Sequence, residues 1–222
     1  MELQLNVSAD IKKVCPFFCG MAISAVVKNT SSSANLWMDI SKKTAEIRST
    51  FSIETIKEQT AIRATRALYK ALGKDPTRYR PSGEALMRRV LQGKDLYPVD
   101  TVVDLINLAS MTYGYSIGGF DADKLVGNSL TLGVGRAGEP YEGIGRGHLN
   151  IEFMPVYRDA IGGVGTPTSD NERTKITLQT ERILVIINGY DGKSEKVLAC
   201  ANYIVSLFRL YASSQEVCKV TF

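Results

Sequence analysis

Few residues in this chain have types and spacing that could do chemistry. The only histidine, His148, lies in a glycine-rich stretch without a serine elbow, so no nucleophile-and-base set is visible. Cys15, Cys19, Cys200 and Cys218 form no disulfide framework, and the first two lack a second pair at ligand spacing. Asp121 and Asp123, at alternate positions beside a turn, read as turn formers and caps. No metal and no cofactor are expected, and the pattern assigns no catalytic residue.

What remains is chemistry centred on the backbone and on neutral groups. Asn107 falls among Val99, Val102, Val103, Ile106 and Ala109, which recur at three and four residues and draw an apolar helical stripe. Asp104 is its neighbour three residues earlier. Gly114 is placed to end that helix in the left-handed conformation, and Gly118, Gly119 and Asp121 read as a compact turn after it. An inward amide running into paired glycines can line a pocket where a ligand meets backbone. Residues 161–180 supply a second glycine turn, Gly162 and Gly163, then a loop dense in hydroxyls that includes Thr166, Thr168 and Ser169.

The elements that must position these groups follow from periodicity and punctuation. Residues 3–7 alternate as a strand, and 20–27 read as a buried strand or a helix begun after Pro16. Residues 34–48 read as a helix with Leu36, Ile40 and Ile47 inward. Ser52 is expected to cap a further helix, with Glu54 in its first turn, that runs to Leu72 and stops at Gly73. Ser82 is expected to cap the next, with Leu86, Val90 and Leu91 inward and Arg88 and Arg89 outward. Strands are expected at 129–133, 148–153, 183–187 and 216–222, with a helix over 193–212 in which Cys200 is a core thiol. Gly133, Gly135 and Gly138 spell a dinucleotide fingerprint, but Pro140 and more glycines follow where a helix should begin, so a long hairpin is predicted.

With 222 residues, 44% hydrophobic and 23% charged, the chain has the composition of an ordinary globular protein. No run of 18 apolar residues exists, and MELQLNVSAD lacks a basic segment and an apolar core, which predicts a cytoplasmic protein without a membrane span. The net charge of +4 is unevenly spread. Arg63, Arg66, Lys70, Lys74, Arg78, Arg80, Arg88, Arg89 and Lys94 face only Asp75 and Glu84 over that stretch. The run reads either as solvated helix faces or as a surface for a phosphate backbone.

Several stretches carry a family likeness: Arg80-Pro81-Ser82, then Arg88-Arg89, then VDTVVDLINL from Val99, Gly114, Phe120-Asp121, Gly138-Glu139 and Ile161-Gly162-Gly163-Val164. In this order the chain resembles the tRNA-editing domain of the β subunit of bacterial phenylalanyl-tRNA synthetases, and more closely the free-standing proteins built on that domain. The likeness covers roughly residues 76–188; residues 1–75 match only the free-standing relatives, and 189–222 add a helix and a strand. It implies one α+β domain over 1–222, a mostly antiparallel, sandwich-like β core flanked by helices.

The same resemblance implies function. In the synthetase this domain hydrolyses the ester joining tyrosine wrongly to tRNA, and an activated ester needs little beyond a positioned water and oxyanion donors. Transferred by position, the substrate pocket would hold Asn107, Gly118, Gly119, Gly162 and Gly163, with Thr166, Thr168 and Ser169 available from the loop. Where the synthetase has a pocket histidine this chain has Gly118, and its shortened loop carries no tyrosine-recognising glutamate. Arg63, Arg66, Lys70, Lys74, Arg78, Arg80, Arg88 and Arg89 are the candidates for contacting RNA. The expected partner is tRNA or the acceptor end of aminoacyl-tRNA, not a DNA sequence. The alternatives are a non-catalytic RNA-binding module and a protein that binds an amino-acid-like small molecule. The chain lacks the adenylate-forming module of a complete phenylalanine-tRNA ligase.

Overall fold

The computed structural model describes residues 3–222. It begins with strand β1 (Gln4–Val7) and helix α1 (Ala9–Val14), whose N-cap Ser8 accepts a hydrogen bond from the Ile11 N–H. Strand β2 (Cys19–Val26) and helix α2 (Ala34–Thr50) follow, the latter capped by Ser33. Three helices, α3 (Thr60–Leu72), α4 (Ser82–Leu91) and α5 (Thr101–Tyr113), lead to β3 (Ile117–Asp121) and β4 (Ser129–Val134). The small hairpin β5 (Glu142–Gly143) and β6 (Gly147–His148) precedes β7 (Pro155–Arg158), β8 (Gly163–Gly165) and β9 (Arg182–Gly189). Helix α6 (Ser194–Tyr211) and strand β10 (Gln215–Thr221) complete the described chain. Among the described residues no helix is long and apolar enough to cross a membrane.

Two four-stranded sheets carry the architecture. One runs β10-β2-β9-β3, antiparallel throughout; the other runs β1-β4-β7-β8, in which only the β1–β4 pair is parallel. Alternation along the strands decides what each face buries. Ala22, Phe120, Leu184 and Ile186 meet Leu130, Leu132, Tyr157 and Val164 between the sheets. Met21, Ile23, Ala25, Ile183, Val185 and Ile187 point the other way, into a larger core shared with α2, α4, α5 and α6. The result is an α+β fold, a β sandwich with α2, α4, α5 and α6 against one sheet and residues of α1 and α3 packed into the core between the sheets.

Local signals hold well where tertiary demands agree with them. Asp100 caps α5 by accepting from the Val103 N–H, and Gly114 ends that helix with φ +78°, the conformation glycine adopts without a Cβ penalty. Cys200 is fully buried, and burial pushes its thiol pKa up. Asp121 caps the short turn that follows β3. No helix begins after Gly138; Pro140 leads instead into the β5–β6 hairpin.

Other expectations give way. The helix expected from Ser52 begins at Thr60, because Ser52 closes a local turn with Thr55 that leads into a single 3-10 turn. Ser82 does not cap α4: its N–H is spent on the Pro167 carbonyl, and the inward residues are Gly83, Glu84, Met87 and Val90, with Leu86 and Leu91 only partly covered. Residues 149–153 form no strand; the chain turns there, with Phe153 at φ +63°, and the partner of β4 is β7. Gly118 and Gly119 are not a turn but the second and third residues of β3, paired with Ile186 and Val185.

Candidate functional site

A cavity of about 440 Å³ opens on the flank of the sandwich, within the range of small-molecule sites. One face of α5 makes its longest wall. Val103, Ile106, Asn107 and Ser110 line it at helical spacing, with Val99 just before the helix. The stripe read from the sequence therefore divides, Val102 and Ala109 turning into the core while Val99, Val103 and Ile106 face the cavity. Ile117 and Gly119 of β3, Ser82 at the head of α4, Ile144 from the β5–β6 hairpin, and Lys175 with Ile176 close the other sides.

The remaining wall is the loop after β8, which contributes Thr166, Ser169 and Asp170. This loop is pinned at several points. The Thr166 hydroxyl accepts from the Thr168 and Ser169 N–H groups and donates to the Ser169 carbonyl at 3.0 Å. Tyr69 of α3 and Thr168 share a hydroxyl hydrogen bond of 2.8 Å, and the Tyr141 hydroxyl donates to the Ser169 carbonyl at 2.7 Å. Such ties to two buried tyrosines hold the loop's polar groups in one geometry before any ligand arrives.

Asp170 is the residue that sequence reasoning missed. Its carboxylate accepts from the Gly119 N–H at 3.0 Å, linking the loop to β3. Gly165 makes room for it: a Cβ there would lie 2.9 Å from the carboxyl and 2.6 Å from the Phe120 ring. Asp170 lines the cavity as a half-buried residue, its carboxyl packed beside Gly118, Gly119 and Gly165. Burial raises its pKa from 3.8 to about 7, opposed only by the Gly119 N–H. Lys175, the basic residue on the same wall, turns its ammonium to Glu172. A sequence signal existed, since an acid ended a run of small and hydroxyl residues in the loop already singled out.

Of the pocket residues expected from sequence, the structure brings together Asn107, Gly119, Thr166 and Ser169. It does not bring the others to the cavity. A Cβ on Gly118 would meet the Phe120 ring at 2.8 Å, and one on Gly163 the Tyr141 ring at the same distance, so both glycines serve packing. Gly162 lies in the turn before β8, and Thr168 is buried against Tyr69. Asn107 also borders a smaller cavity of about 100 Å³ beside Trp37, Leu96, Tyr97 and Asp104. There the buried Asp104 carboxylate accepts from the Trp37 indole at 2.8 Å and the Val99 N–H at 3.1 Å, and desolvation raises its pKa.

The basic run is divided by function. Glu84 is fully buried, and Arg66, Arg88 and Arg80 reach it at 2.9, 3.0 and 3.8 Å. Lys74 is buried too, donating to the Asn150 carbonyl and lying over the Tyr79 ring, and desolvation lowers its pKa. Arg89 is held by the Asp95 carbonyl and stacks on Tyr97. Arg63, Lys70 and Arg78 stay exposed, the first two in a shallow groove with Lys57.

The chain is a two-sheet α+β domain with a largely apolar, hydroxyl-rimmed cavity walled by a pinned loop. The chain belongs to the B3/4 domain family, whose model matches residues 64–210. Among solved structures it is similar to an N-terminal fragment of the phenylalanyl-tRNA synthetase β subunit from Pyrococcus horikoshii, with a TM-score of 0.54 at 12% identity. That likeness in fold covers 100% of this chain, and the chain spans 54% of the fragment. Comparison with curated proteins finds no match by sequence.

Proposed function

We propose that this protein is tRNA-associated and acts in trans as a hydrolase that frees tRNA of an unwanted amino acid. The observation that carries the reading is the cavity itself, where the Asn107 amide and the Thr166 and Ser169 hydroxyls stand over apolar walls in a domain of the B3/4 family. The fold likeness to a fragment of a phenylalanyl-tRNA synthetase β subunit supports it. An aminoacyl ester is activated already, so a cavity that holds the acyl group and orients a water can supply much of the acceleration through positioning. Arg63 and Lys70 on α3, with Lys57 before that helix and Arg78 and Lys94 after it, are exposed cations that could meet phosphate.

Incubating the protein with a panel of mischarged tRNAs tests this directly. Release of the amino acid faster than in buffer is expected for at least one pair, and association with tRNA is expected to weaken steeply with salt as counterions are released. Absence of deacylation across the panel would reject the hydrolase. One observation favours a second reading, an amino-acid-like small-molecule binder: Glu84 and local carbonyls occupy much of the basic run, so fewer cations remain for RNA than the sequence suggests. Ligand binding without any tRNA association would select it.

A further inference from the structure

Asp170 places a carboxyl in a cavity whose other walls are mostly aliphatic or uncharged, and among the described residues no cation forms an ion pair with it. Val99, Val103, Ile106, Ile117, Ile144 and Ile176 form the apolar walls. Lys175 is paired with Glu172, and the Gly119 N–H is the donor that faces Asp170. A carboxylate so placed is costly unless a positive charge joins it. The carboxyl is also fixed, held by β3 on one side and given room by Gly165 on the other.

We infer that the cavity takes a ligand bearing a primary ammonium group on a compact apolar body, with Asp170 as the counter-ion that positions it. The α-ammonium of an amino acid esterified through its carboxyl has this form: one positive charge, no carboxylate to be repelled, and a side chain for the aliphatic walls. The ammonium would approach the Asp170 carboxylate from the cavity, and Thr166 and Ser169 lie on the same wall to border the ester end. Asp170 is a positioning residue in this arrangement, since it holds the ammonium and takes no part in bond making. The inference rests on the cavity being the acyl-holding site proposed above, but it concerns the small ligand alone and can be tested without tRNA.

Calorimetric titration of the full chain at pH 7 with L-leucine methyl ester and with its desamino counterpart, methyl 4-methylpentanoate, separates the charge from the apolar body. The amino ester is expected to bind more tightly. Asp170→Asn is expected to weaken it by roughly 10- to 100-fold, the range for loss of a charge-assisted hydrogen bond, while shifting the desamino ester by less than about twofold. Unchanged binding of the desamino ester also shows that the variant keeps its cavity. Equal affinity for the two esters, an equal loss of both in Asp170→Asn, or binding of neither overturns the inference. Asp170-dependent binding of the amino ester in a protein that deacylates no tRNA would uphold it while the hydrolase reading fails.

Discussion

The ionised form of Asp170 is disfavoured by the fold around it. Its pKa of about 7, against an ordinary 3.8, means that between those values the folded chain keeps a proton that the unfolded chain releases. Stability contributed by this group is therefore present at low pH and declines as pH rises through 7. Asp170→Asn keeps a side-chain oxygen for the Gly119 N–H and removes the titration. The variant is expected to be more stable than the parent at pH 8 by about 1–4 kcal/mol, with the difference fading towards roughly pH 4, as read by urea unfolding. Asp104, also raised by burial, titrates in both proteins and drops out of the comparison. Parallel pH profiles for parent and variant would show that the carboxyl ionises as if in water. Residues that weaken a fold while lining a cavity are where function is most economically placed.

At the scale of elements, α4 is held to α3 and to the segment before it by one buried carboxylate. Arg66 reaches Glu84 from α3 and also donates to the Pro76 carbonyl, and Arg88 reaches it along α4 and donates to the Ile53 carbonyl. Glu84→Gln leaves three guanidinium groups facing an uncharged amide. A loss of about 3 kcal/mol or more is expected, or a fall in Tm of roughly 6 to 12 °C, with little relief from added salt because the carboxylate is screened from solvent. A surface-like change below 1 kcal/mol would mean that the cluster is loosely solvated. This clamp was invisible in the sequence, where Glu84 reads only as one of two acids in a basic run and Arg88 as an outward residue. Helices α2, α5 and α6 were legible because their apolar spacing, and for α5 the terminating Gly114, are local. The two glycines of β3 were legible as residues and misplaced as a turn, since what requires them is distant: the Phe120 ring covers Gly118, and the ends of Ile106 and Ile176 crowd Gly119. Half of the expected pocket was found for the same reason. Asn107 follows from helical phase, whereas the separation of Gly162 and Gly163 from the cavity depends on how β8 packs against Tyr141.

For the whole molecule, the segment matched by the family model is smaller than the unit that the strands build. The match at 64–210 omits β1, β2, α2 and β10. Yet β2 lies between β9 and β10, pairing with β9 over eight residues, and β1 extends the second sheet through β4. Without β2, the apolar strand β9 would present an open edge, and Ile183, Val185 and Ile187 would lose the neighbours Met21, Ile23 and Ala25 that share their face of the sheet. Helix α2 brings Leu36, Ile40 and Ile47 to the same core, so its removal opens the layer that supports α5 and the cavity wall. A fragment of residues 64–210 is therefore expected to lack a cooperative thermal transition and to bind no L-leucine methyl ester, whereas the full chain is expected to melt in one transition by circular dichroism. If the fragment instead melts cooperatively and binds the ester as the full chain does, the N-terminal strands are an accessory layer and the cavity belongs to α5, β3 and the Asp170 loop alone.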